Sequence, residues 1–201
     1  YEFRRGIFER LTTGPWRDAD AIWSPDGRSI AYYGQGADAA PGVFIRQADG
    51  TGEAERMTTG THLPNGWTPD GGRIIFTDFG EEPISSVAPT DLAAVAVSGD
   101  RRVEVLVSGP ARDGTGRLDP GGRWLAHESS ESGEMAIVVR PFPDVRSARW
   151  RISSGEGRNP AWAADGRTLY YRSGGAVMAV AVRGDTPADW SAPERLFEGP
   201  F

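Results

Sequence analysis

One turn sequence recurs four times along the chain, and it restricts the possible architectures more than any other feature. The copies are Trp23-Ser-Pro-Asp-Gly27, Trp67-Thr-Pro-Asp-Gly71, Leu118-Asp-Pro-Gly-Gly122 and Trp162-Ala-Ala-Asp-Gly166, with spacings of 44, 51 and 44 residues. Each copy reads as a hairpin corner. Pro25, Pro69 and Pro120 preset φ, Asp26, Asp70 and Asp165 bond back to the local backbone, and Gly27, Gly71, Gly122 and Gly166 take the left-handed position. The large aromatic before the turn, at Trp23, Trp67 and Trp162, is suited to wedge between neighbouring sheets, and Leu118 marks a weaker copy.

An apolar run follows every corner: Ile30–Tyr33, Ile74–Phe76, Trp124–Ala126 and Leu169–Tyr171. Two further strand-like runs come after each, Val43–Arg46 with Glu55–Met57, Leu92–Val97 with Val103–Val107, Met135–Val139 with Arg149–Ile152, and Val177–Val182 with Glu194–Phe197. Each repeat therefore reads as one four-stranded antiparallel sheet that can bury its faces only against its neighbours. This is the logic of an all-β propeller. The expected blades are 15–59, 60–110, 111–155 and 156–201. Residues 1–14 read as the outer strands of a preceding blade, and a parent of about six blades is expected.

Composition narrows the chemistry. The chain has 201 residues with a net charge of −6, its acidic and basic residues are interspersed, and every one of its 22 basic residues is arginine. Nucleic acid, which demands a basic stripe, is not an expected partner. Without lysine there is neither a Walker-type phosphate loop nor a kinase strand lysine. Without cysteine there is no disulfide, thiolate nucleophile or cysteine zinc site. No run reaches the length of about 20 apolar residues that a membrane-spanning helix requires, so direct membrane insertion is not expected.

The repeats resemble the WD40-like, TolB-type propeller family, whose mark is a Trp-Ser-Pro-Asp-Gly corner followed by an apolar strand. More narrowly, Arg5-Gly6 with Glu9–Thr12, then Ala48–Arg56, Val139–Pro143, Leu169–Gly174 and Leu196–Gly199 resemble, in order, the propeller attached to bacterial serine/threonine protein kinases. That resemblance implies a kinase domain upstream, a sensing or scaffolding role, and an extracytoplasmic location. The same blade motif is similar to that of periplasmic TolB, an adaptor, and to the propeller caps of prolyl-oligopeptidase-type hydrolases.

Motifs for catalysis are sparse. Asp78-Phe79-Gly80 matches a kinase magnesium triplet but falls at a strand end without a catalytic loop before it. His62 and His127 are the two histidines, and no Gly-x-Ser-x-Gly elbow accompanies them. Asp26, Asp70 and Asp165 sit at successive corners, too far apart for paired acid catalysis or a calcium cage. The chain thus reads as a binding module rather than an enzyme, with no metal or cofactor. Its ligand, a protein, peptide or small molecule, is expected at the channel mouth, on the loops entering the innermost strands: 16–20, 60–65, 111–116 and 156–159. The candidates there are Arg17, Asp18, His62, Asn65, Arg112, Asp113, Arg158 and Asn159.

Overall fold

The computed structural model describes residues 10–12, 17–36, 40–80, 84 and 88–199. Blade 1 comprises β1 (Arg17–Trp23), β2 (Ser29–Gln35), β3 (Gly42–Gln47) and β4 (Glu55–Arg56). Blade 2 comprises β5 (His62–Trp67), β6 (Arg73–Asp78), β7 (Asp91–Ala96) and β8 (Val103–Val107). In blade 3 the strands are β9 (Asp113–Leu118), β10 (Trp124–Ser129), β11 (Ala136–Pro141) and β12 (Trp150–Arg151). Blade 4 holds β13 (Arg158–Trp162), β14 (Thr168–Ser173), β15 (Ala176–Ala181) and β16 (Glu194–Glu198). Every blade is an antiparallel meander in chain order. This is the all-β, four-stranded-blade architecture expected from the repeats. The strands expected within 1–14 lie outside the described residues, apart from 10–12, which carry no strand.

Period-two alternation explains why these runs stack as blades. Along β6, Ile74 and Phe76 point into a core shared with Ala31, Val43 and Ile45 of blade 1, whereas Ile75 between them joins Leu125 of blade 3. All three β6 residues are fully buried. A third core joins Trp124, Ala126, Ile137 and Val139 of blade 3 to Leu169, Tyr171 and Val180 of blade 4. Each such side chain stabilises the stack by about 1.5–3 kcal/mol relative to exposure.

The corners close as the repeat dictates. In blade 1, Ser24 Oγ donates to Asp26 Oδ1 at 2.6 Å, Arg28 N donates to the same oxygen at 3.0 Å, and Ser29 N donates to Ser24 Oγ at 2.9 Å. Thr68 and Asp70 repeat this network in blade 2. In blade 3 one residue does both jobs: Asp119 accepts from Arg123 N and Trp124 N through Oδ1 and from Gly121 N through Oδ2. The altered corner Leu118–Gly122 is therefore fully braced, against the expectation that its substitutions weaken it. Blade 4 keeps the Asp165 bond to Arg167 N and has alanine in place of the hydroxyl. Positive φ between 68° and 71° at Gly27, Gly71, Gly122 and Gly166 makes glycine the fitting residue at all four corners.

Trp67 and Trp162 pack into the cores between their own and the preceding blade. The indole Nε1 of Trp162 also donates to Arg117 O at 3.0 Å, and its ring meets Trp190 edge-on at 5.8 Å. Trp23, the same position in blade 1, is 62% exposed. Trp162→Ala should therefore cost this chain about 3 kcal/mol and Trp23→Ala less than about 0.5 kcal/mol, read from urea midpoints. Equal losses would contradict the wedge role.

Candidate functional site

The innermost strands β1, β5, β9 and β13 begin at the mouth of the arc, and the sequence hid them. Arg17, Asp18, His62, Asn65, Asp113, Arg158 and Asn159 belong to these strands, not to the loops before them; of the eight candidates only Arg112 precedes its strand. The reason is local composition. Segments such as Asp113-Gly-Thr-Gly-Arg-Leu118 and Arg158-Asn-Pro-Ala-Trp162 have low strand propensity, and pairing with the next strand overrides it.

Every innermost strand bulges at the same place. Pairing registers shift at Ala19/Ile22, Pro64/Gly66, Gly114/Arg117 and Arg158/Ala161. The bulged residue, three before the corner aromatic or Leu118, is left-handed in three blades: Asp20 (φ 53°), Thr115 (φ 52°) and Asn159 (φ 53°). Asp and Asn tolerate this conformation, but a β-branched threonine does not adopt it without strain. Pro64 holds the equivalent place in blade 2, where its ring forbids positive φ.

The neighbouring blade holds these bulges. Thr115 N donates to Thr77 Oγ1 at 3.2 Å, and Asn159 N donates to Glu128 Oε1 at 2.7 Å. Thr77 and Glu128 occupy the same repeat position, ten residues after Trp67 and Leu118. Each is a side-chain acceptor for the amide of the next blade's left-handed residue. Blade 2 could not use this device, because Pro64 has no amide hydrogen. Asn65 Oδ1 reinforces the contact between blades 2 and 3 by accepting from Thr77 Oγ1 and from Gly116 N. Gly116 suits the close approach: a Cβ there would lie 3.1–3.4 Å from Leu92, Ile75 and Leu125.

A cavity of about 270 Å³ opens between these elements, lined by Asp20, Asn65, Thr115, Glu128 and Asn159 together with Arg112 and Arg117. Burial pulls the Arg117 guanidinium below the usual arginine range, and the Asp20 charge opposes that shift. The cavity thus unites Asn65, Arg112 and Asn159 from the sequence candidates. It adds Asp20 and Thr115, which lie within the expected mouth segments 16–20 and 111–116 without being singled out, and Arg117 and Glu128, which sequence reading missed; the recurrence of polar residues just before the corners was the available signal. Arg17, Asp18 and Arg158 do not line this cavity, and Arg158 pairs with Glu156 at 2.8 Å.

His62 and Asp113 are buried, meet partners within their own blades and do not line this cavity. His62 Nε2 lies 3.3 Å from Asp78 Oδ1, and this hydrogen bond holds the Asp78 carboxyl below its ordinary range. Asp78 also accepts from Gly80 N, so the Asp-Phe-Gly triplet closes a strand end. In blade 3, His127 Nδ1 donates to Glu128 O at 3.0 Å and lies 3.5 Å from Asp113 Oδ1, while Arg140 Nε donates to His127 Nε2 at 3.1 Å. Burial raises the Asp113 carboxyl and, aided by Arg140, lowers His127 to about 3. Among the described residues no group of three or more His, Asp or Glu side chains is placed to hold a metal. No helix among them is long and apolar enough to cross a membrane.

The fold is that of TolB-type propellers. A putative TolB from Agrobacterium tumefaciens superposes with a TM-score of 0.71 at 20% identity, covering 89% of this chain and 64% of that one. A puromycin-hydrolyzing peptidase from Mycobacterium tuberculosis gives a TM-score of 0.64 at 18% identity over 82% of this chain and 29% of its own. In sequence, the chain is 30% identical over 178 residues, 85% of its length, to the uncharacterized peptidase YuxL of Bacillus subtilis. It spans about a quarter (24%) of that relative. No family model matches the chain. The expectation of a module that is not an enzyme is overturned by the sequence relative, which is named a peptidase, and by the peptidase among the structural neighbours. The missing Gly-x-Ser-x-Gly elbow described this stretch of sequence and was no guide to the protein class.

His127 must be neutral to stay buried, so its lowered pKa stabilises the fold above about pH 6.5, and that stability drains away as pH falls toward 3. The contribution is about 1.4 kcal/mol per pH unit within that window. Urea midpoints measured between pH 7 and 4 should fall less steeply in His127→Phe than in the wild type. Parallel slopes would show that His127 does not carry the acid sensitivity.

Proposed function

We propose that this chain is the propeller of a peptidase-type hydrolase, and that its mouth controls which peptides reach the reacting groups. The observation that carries this reading is the 30% identity to YuxL across 85% of the chain. The mouth adds a physical reason. It offers a concave, polar cavity whose shape is fixed by bonds between blades, as a selective entrance requires.

A second reading, the sensor propeller of a kinase-type receptor, draws on the sequence pieces between Arg5 and Gly199 that resemble kinase-linked propellers. A TolB-like adaptor draws on the propeller superposition. The full-length polypeptide carrying this chain separates the three when assayed with aminoacyl and peptidyl coumarin amides and, in parallel, with ATP and a protein acceptor. Release of coumarin without phosphorylation is the expected result. Phosphorylation without peptide hydrolysis would replace the peptidase reading with the receptor, and neither activity would favour the adaptor.

A further inference from the structure

Of the charged side chains lining the mouth cavity, Asp20, Arg117 and Glu128 each interact with another group of the cavity wall. Asp20 supports the Arg117 guanidinium. Glu128 accepts the Asn159 amide at 2.7 Å. Arg112 differs from both: its backbone is held by Ser130, whose Oγ accepts from Arg112 N at 2.9 Å and whose N donates to Arg112 O at 3.0 Å. Its side chain forms no ion pair among the described residues, and its Nε is buried without a hydrogen-bond partner. A guanidinium presents its N–H groups as a planar fork that matches the two oxygens of a carboxylate. Arg112 lines the cavity and pairs with no carboxylate among the described residues, so its fork is the cationic group there with capacity for an anion.

We infer that the mouth cavity, lined from all four innermost strands, is a carboxylate subsite, with Arg112 as its anchor. Asn65 assists: both bonds recorded for its side chain use Oδ1, which leaves its amide N–H groups as the donors on that wall. Thr115 and Asn159, held in left-handed conformations by the adjoining blades, fix the floor. The inference deepens the peptidase reading, on which it rests only for the ligand being a peptide. The carboxylate is either the C-terminus of that peptide or an acidic side chain, since both present the same two oxygens.

The test titrates three probes into the chain by calorimetry: N-acetyl-trialanine with a free carboxylate, the same peptide as its C-terminal amide, and N-acetyl-Ala-Glu-Ala amide. At least one carboxylate probe should bind at least 10-fold more tightly than the uncharged amide, and which one does so identifies the source. Arg112→Gln should weaken that binding on the order of 10- to 100-fold. Arg112→Lys, which keeps the charge and loses the fork, should recover only part of it. Unchanged thermal midpoints in both variants show that the fold is intact. Equal binding of all three probes, no binding by any of them, or a Gln variant that binds like wild type would overturn the inference. Because binding is read without turnover, a failed peptidase assay leaves this result interpretable, and the reverse holds too.

Discussion

Each sheet in this chain must bury both of its faces, and only another copy of the same sheet is available to cover them. Ile74, Ile75 and Phe76 show the consequence on three successive residues, which alternate between the core shared with blade 1 and the core shared with blade 3. That alternation brings the second strand of one blade against the innermost strand of the next. The approach is close enough that a Cβ at Gly116 would press on Leu92, Ile75 and Leu125. The channel mouth is therefore a product of blade stacking, because its walls are the parts of the innermost strands that the cores do not cover.

The same crowding explains the chemistry of the mouth. Innermost strands that bulge in register turn one residue per blade away from the ladder, and its amide is taken by the preceding blade. Thr77 and Glu128 are different side chains performing the same task at the same repeat position. Pro64 marks the blade where the task is not possible. The left-handed conformation of Thr115 is tied to blade 2 by the bond from its amide to Thr77 Oγ1.

The sequence told most about the parts where a residue's role is local. Pro-Asp-Gly corners, the apolar second and third strands and the blade period all follow from neighbours within five residues or from alternation. Even so, Asp119 serving as both hydroxyl and carboxylate was not foreseen, since its two functions are split between residues in other blades. The innermost strands were illegible because Gly, Asp, Asn and Pro interrupt each of them before the corner. Among the mouth candidates, nothing in the sequence separates His62 and Asp113 from Arg112. The first two meet partners on the adjacent strand, at Asp78 and His127, and the third meets a cavity. Only the pairing register makes that distinction.

The central claim is that ligand enters the mouth cavity lined by the four innermost strands and leaves the corner face untouched. Hydrogen exchange of the chain, with and without a saturating free-carboxylate peptide, tests it directly. The account predicts slower exchange in the segments Asp113–Leu118 and Arg158–Trp162 and no change at the corners around Asp26 and Asp70. Protection confined to the corner face, or the same exchange with and without peptide, would contradict it.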